Sequence, residues 1–348
     1  MSTDPDADLK RAQQLYDLGR AAQARQVVAS VLAARPNSPA ALRLLARCHM
    51  ALGEHRVAVR VARAAVAADP GSEHGYRILS GALRRVKNHR EAAAAAEEAI
   101  RLAPQQWQGY VMLAQGLYRV SHRRSLAAAE EARRLAPEIA ETHYLCGVAL
   151  RALHRGEEAR AAYLRALEID PQHMQSLNGL ALVDQGRWRL SSAERGFRGA
   201  LSADPQHQAP QGNLEALYLL RLWCLGWLAV AGDVVVAAGK SAGPGRVRVL
   251  AIGCEAVLLL LFAASARSAR KRSGALGVRL LHRNPGALIC TAIIAASAVL
   301  IALAAVFPKV VDAGAYTAVR VSLGLLNMAV VLLLVYLRRR TSASPDSL

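Results

Sequence analysis

Ten histidines and five cysteines are the side chains in this sequence with which a metal could be held or a nucleophile activated. Their spacing argues against both uses. No histidines stand in an HExxH-like arrangement and no cysteines form a CxxC pair. His55, His89, His122 and His154 fall in the breaks between apolar stretches, where a surface turn residue is the ordinary reading. Cys48, Cys146, Cys224, Cys254 and Cys290 are odd in number and far apart, which fits buried small hydrophobes in a reducing compartment and not a disulfide frame. No Gly-rich phosphate loop, GxSG motif or acid–histidine signature accompanies them. The residues therefore predict no catalytic group, no metal and no cofactor, and a chain that is not an enzyme.

What remains is arginine, and its value depends on the elements that carry it. Those elements are announced by a repeat. "ALEIDPQH" at 166–173 returns as "AVAADPGS" (65–72), "AIRLAPQQ" (99–106), "ARRLAPEI" (132–139) and "ALSADPQH" (200–207), with "VLAARPNS" (31–38) a looser copy. Pro36, Pro70, Pro104, Pro137, Pro171 and Pro205 are separated by 34, 34, 33, 34 and 34 residues. A fixed period of this length means stacked units. Each unit holds two apolar stretches at helical spacing around a short break, and its proline closes the second helix.

Small residues recur where two such helices would cross. They are Ala12, Ala46, Ser80, Ala114, Gly147 and Ala181 in the first helices. Early in the second helices stand Ala24, Ala58, Ala92, Ser125, Ala159 and Ala193, and further along Val31, Ala65, Ala99, Ala132, Ala166 and Ala200. Larger residues such as Leu45, Leu79, Leu113, Tyr163 and Phe197 fill the spaces between. These units resemble tetratricopeptide repeats, the 34-residue helix–turn–helix family. The resemblance covers about 1–207 as six units, the fourth one residue short at the "SHRRS" turn and the first the most degenerate. The stretch 211–220 is expected to make a closing helix.

The resemblance implies an all-α solenoid whose concave face is lined by first helices. Mapped onto this chain, that face would carry Arg43, Arg47, Arg77, Arg84, Arg85, Gln115, Tyr118, Arg119, Tyr144, Arg151 and Asn178. Arginine forks beside tyrosines suit an extended peptide bearing carboxylates, because the guanidinium binds carboxylate in two parallel bonds. Some relatives grip a C-terminal carboxylate with a Lys/Asn clamp. The comparable places here hold Arg43 and Arg47, so that specificity is not carried over.

Beyond about 217 the pattern turns continuously apolar. Segments at about 222–239, 249–266, 286–307 and 317–337 each reach the roughly 18–20 residues that a bilayer helix needs. The first is the weakest, because Asp233 lies within it and a mid-bilayer Asp costs roughly 2.5–3.5 kcal/mol. Residues 1–212 hold 29 Lys/Arg against 21 Asp/Glu, a net charge of +8, and residues 213–348 hold 15 against 5, a net charge of +10. In the second half the charge is clustered between apolar runs, which indicates membrane topology and not nucleic acid. Arg267, Arg270, Lys271, Arg272, Arg279, Arg283 and Arg338–Arg340 would face the cytoplasm, against Lys240, Arg246, Arg248 and Lys309 outside. Both termini are then cytoplasmic, in keeping with a polar N-terminus that has no signal-peptide character. Asp233, Glu255 and Arg320 would sit at similar depths, roughly 9, 9 and 4.5 Å below the outer surface at the rise of an α-helix.

The domain organisation expected is a solenoid with its closing helix over 1–220, a four-helix transmembrane region over 221–340, and a disordered tail at 341–348. The function expected is a scaffold in a bacterial cell membrane that binds a protein or peptide partner through its cytoplasmic groove. The alternative is a small transport or channel component whose membrane half is active and whose repeats regulate it. Lipids and protein are the partners this reading names, with no nucleic acid.

Overall fold

The computed structural model describes residues 4–205, 208–217 and 220. Six helical hairpins occupy the first stretch. They are α1 (Pro5–Asp17) with α2 (Ala21–Ala34), α3 (Pro39–Ala51) with α4 (His55–Ala68), and α5 (Glu73–Arg85) with α6 (His89–Leu102). Then come α7 (Trp107–Leu117) with α8 (His122–Leu135), α9 (Ala140–Ala152) with α10 (Gly156–Ile169), and α11 (Met174–Gly186) with α12 (Leu190–Ala203). Residues 208–217 and 220 are also helical, so helix begins three residues before the closing helix expected at 211–220. The contacts divide the chain into two units, Met1–Pro205 and Gln206–Leu348. The four expected membrane spans, Asp233, Glu255, Arg320 and the 341–348 tail lie outside the described residues. Among the described residues no helix is long and apolar enough to cross a membrane.

The prolines end the second helices as their spacing predicts. Each follows a helix-terminating residue (Arg35, Asp69, Ala103, Ala136, Asp170 or Asp204) whose φ lies between −131° and −149° and whose ψ lies between 71° and 98°. A proline ring clashes with a helical residue before it, so this residue is pushed out of the helical region and the chain must turn. Ser38 and Asp4 then start new helices by accepting from the backbone N–H of Ala41 and Asp6, each followed by a proline at the first helical position.

All three columns of small residues are buried. Two hydrogen bonds mark the crossing of first and second helices. The Ser80 hydroxyl donates to the carbonyl of Ala92 at 2.7 Å, and that of Ser125 to the carbonyl of Ala114 at 2.8 Å. A side chain larger than serine at these points would hold the two backbones apart.

The curvature follows from which helices meet. Each first helix touches the next first helix, in the pairs α1–α3, α3–α5, α5–α7, α7–α9 and α9–α11, whereas no second helix reaches the next second helix. First helices therefore stand closer together and line the inner, concave side, as the resemblance implies.

Candidate functional site

The arginines of the concave face divide into two groups. In the first, side chains are spent on the fold. Arg43 donates to the Ser72 hydroxyl at 3.4 Å and stands 3.7 Å from the Asp69 carboxylate, so it braces the turn into the next repeat. Arg47 bonds Gln13 at 3.1 Å, lies 3.9 Å from Asp17 and covers the Tyr16 ring at 4.3 Å, which ties the second hairpin to the first. Arg77 stands 2.6 Å from the Glu73 carboxylate one turn back, an ion pair in which its buried Nε makes no hydrogen bond of normal geometry.

In the second group, over α5, α7, α9, α10 and the start of α11, polar atoms are left without partners inside the protein. The Nε atoms of Arg84 and Arg151, the amide oxygen of Gln115 and the hydroxyl of Tyr163 are all buried and none has a hydrogen-bond partner. Burial, with Arg85 beside it, lowers the pKa of the Arg84 guanidinium, while the charge of Glu141 opposes that shift. Glu141 accepts from the Gln115 amide at 3.3 Å and lies 3.5 Å from His173. Tyr144 stacks at a tilt on both Tyr163 and His173, with ring centroids 6.1 and 5.5 Å apart. Burial raises the Tyr144 phenol far above its ordinary value, and Tyr163 to about 12, so both stay protonated donors. Arg151 lowers the Tyr163 phenol against that trend, yet no bond of normal geometry joins them. At the rim, Tyr118 packs on His122 at 5.2 Å and Arg119 lies 6.0 Å over the Tyr118 ring. Arg85 and Arg119 are exposed, and Asn178 is half-buried on α11.

Of the residues the sequence nominates, Arg84, Gln115, Tyr118, Tyr144 and Arg151 are thus linked in one patch, whereas Arg43, Arg47 and Arg77 are held by neighbours nearer the N-terminus. Glu141 and His173 belong to the patch without being nominated by the sequence. A signal for Glu141 is present, because it stands three residues before Tyr144 and so shares its helix face. His173 precedes α11 and has no periodicity to betray it.

The cysteines and turn histidines among the described residues have structural places. Cys48 and Cys146 are buried, and burial raises both thiols, Cys146 to about 11, which leaves them unreactive near neutral pH. His55, His89 and His122 open α4, α6 and α8 instead of lying in the turns, and His154 lies in its turn at φ 60°. Among the described residues no group of His, Cys, Asp or Glu could hold a metal ion.

Family comparison agrees with this geometry. Models described as tetratricopeptide repeat match residues 15–80 and 140–173. No curated protein matches the chain. Among solved structures, the chain is similar to one of the APC/C hetero-tetramer Cut9–Hcn1, with a TM-score of 0.55 and 16% identity. That match covers 62% of this chain and 43% of the other, so this chain spans less than half of that one. A structure of Pseudomonas aeruginosa pilF is similar at a TM-score of 0.49 and 19% identity, over 60% of this chain and 95% of that one. A thermophilic repeat protein of Thermus thermophilus, TTC0263, follows at 0.35 and 24%, over 62% and 98%. Residues 15–80 and 140–173 thus match tetratricopeptide repeats, and the hairpins of residues 4–205 stack as an all-α solenoid of that type.

Proposed function

We propose that this protein is a membrane-anchored scaffold that captures an extended, carboxylate-bearing peptide segment of a partner on the concave face of its repeats. The observation that carries the reading is the patch around Arg84 and Arg151. Two guanidinium groups with buried, unpartnered Nε atoms stand near Tyr144, and among the described residues most other arginines already pair with a carboxylate. A peptide carboxylate is drawn to the charge of these guanidinium groups, and Tyr144 and, at the rim, Tyr118 offer apolar faces to its backbone and side chains. The peptide runs along first helices, which present their residues at a regular interval.

In this reading the anchor is the apolar region beyond residue 220, and the positive charge between its apolar runs favours the repeats lying at the cytoplasmic face of the cell membrane. Asp233, Glu255 and Arg320, at similar depths in those segments, favour a second reading in which the membrane half moves an ion or proton. Asp233→Asn with Glu255→Gln separates the two, because a scaffold keeps its function and an ion-coupled device loses it.

The groove is tested by crosslinking the full chain to its partner in cells, in wild type and in an Arg84→Glu, Arg151→Glu variant, with Arg165→Glu on α10 as control. The groove variant loses the crosslink and the control retains it. Equal capture by both variants overturns the groove. Resistance of the chain to alkaline carbonate extraction tests the anchor separately.

A further inference from the structure

The two edges of the repeat ribbon differ in charge. One edge consists of the turns inside the hairpins, residues 18–20, 52–54, 86–88, 118–121, 153–155 and 187–189. These carry Arg20, Lys87, Arg119, Arg155, Arg187 and Arg189 against the single acid Glu54. The other edge consists of the turns between hairpins, residues 35–38, 69–72, 103–106, 136–139 and 170–173, with Arg35 against Asp69, Glu138 and Asp170.

The basic edge also holds the large apolar side chains that the described residues leave exposed. Leu18 is 72% exposed, Val120 44% and Trp188 61%. Trp188 has a further peculiarity. Its φ is 60°, in the left-handed region, at the turn position that Gly19 and Gly53 occupy in the first two repeats. A bulky residue in that conformation is strained, and this one gains no burial in return. Its ring therefore has no folding role that glycine would not fill better. It projects between Arg187, paired with Glu157, and Arg189, which lies 3.9 Å from Asp184. Lys87 and Arg119 on the same edge have no carboxylate partner among the described residues.

We infer that the hairpin-turn edge, led by the Arg187–Trp188–Arg189 tip, docks on an anionic lipid surface. Basic side chains near a bilayer are attracted to acidic headgroups, and an exposed indole settles at the headgroup level with its ring in the apolar boundary and its N–H toward water. Leu18 and Val120 decide against nucleic acid, because aliphatic side chains add nothing to phosphate contacts or base stacking but partition into a lipid interface. The inference rests on the membrane reading above for its setting, since the cytoplasmic leaflet is the acidic one. Its effect is to lay the solenoid's edge along the membrane and leave the concave face open to a partner. The Arg187–Trp188–Arg189 tip shares no residue with the groove, and the edge meets the groove only at the turn 118–121, where Tyr118 and Arg119 stand.

The test uses the full chain with Trp107→Phe, Trp223→Phe and Trp227→Phe, so that Trp188 is the sole indole, reconstituted with anionic or zwitterionic phospholipid brominated near the headgroups. Quenching of Trp188 in anionic lipid, reversed by high salt and weak in zwitterionic lipid, is the expected result. Reversing both charges by Arg187→Glu and Arg189→Glu weakens the contact by about tenfold or more. Trp188→Gly, which suits the backbone better than tryptophan, removes the contact without harming the fold. Hydrogen exchange of the unmodified chain at 187–189, slowed by anionic lipid, gives the same answer without substitutions. Trp188 unquenched in anionic lipid, or quenched equally in both lipids, overturns the inference. So does an emission shift with single-stranded RNA in place of lipid. Carbonate extraction of the same samples reports the anchor independently, so a detached chain that still shows salt-sensitive quenching separates failure of the anchor from failure of the edge.

Discussion

Tyr163 is fully buried although it stands on a second helix in a column that holds Ala62, Ala96 and Ala129 in earlier repeats. Its ring fits because the facing first helices lack side chains there. A Cβ on Gly147 would come within 2.7 Å of the ring, and one on Gly179 within 2.6 Å. In the Gly179 column the earlier repeats hold Leu44, Ile78 and Leu145, so the volume has passed from one helix to its neighbour. Gly179→Ala is expected to destabilise the solenoid by about 1–3 kcal/mol through overpacking. In a Tyr163→Ala background the same substitution should cost much less, and a double-mutant cycle read by urea denaturation checks this. A second residue-scale expectation concerns pH. Burial, reinforced by neighbouring arginines, lowers His74 and His89 from 6.5. Below 6.5 the unfolded chain then binds more protons than the folded one, so stability falls as pH drops through that value. His74→Gln with His89→Gln should flatten the dependence of the urea midpoint in this window. The carboxylate of Glu54, lowered from 4.5 by its bond to His49 and by Arg25, acts only at lower pH, where its stabilisation is lost as it protonates.

At the scale of elements, the hairpin turns share one device. Gly19, Gly53, Lys87, His154 and Trp188 all adopt φ between 60° and 77°, which reverses the chain after a first helix. The fourth hairpin departs from it. Its first helix, α7, has 11 residues where the other first helices have 13. The Leu117 carbonyl accepts from both Val120 and Ser121, and no residue of that turn has positive φ. The 33-residue gap between Pro104 and Pro137 marks this hairpin in the sequence, but the shortening lies in α7 and the turn 118–121 and not in "SHRRS", because Ser121 caps α8 and His122–Ser125 open it. A Cβ on Gly53 would meet nothing within 4 Å, so Gly53→Ala isolates the backbone cost. It is expected to lower stability by about 1–2 kcal/mol, the penalty for a side chain in the left-handed region, as measured by chemical denaturation. An unchanged unfolding midpoint for Gly53→Ala would contradict this account.

At the scale of the molecule, each hairpin of the solenoid touches only its neighbours, so stability is a chain of local couplings. Val28 is fully buried in the cluster that joins the first two hairpins. Val28→Ala is expected to cost about 2 kcal/mol locally, and hydrogen exchange should quicken in α1–α4 while α9–α12 keep their protection. Uniform loss of protection along the solenoid would show that it unfolds as one body.

The helix count, the hairpin boundaries, the crossing columns and the irregular fourth unit are legible in the chain, because each depends on contacts close in sequence and recurs with the period. The same periodicity nominates the concave face but cannot sort its arginines. Whether Arg47 is consumed by Tyr16 and Asp17, or Arg84 is left with a buried and unpartnered Nε, depends on residues some 30 to 60 positions away. Stacking alone brings those residues together. The segregation of charge onto one edge, and the exposure of Trp188 there, likewise arise only when six turns are aligned by packing.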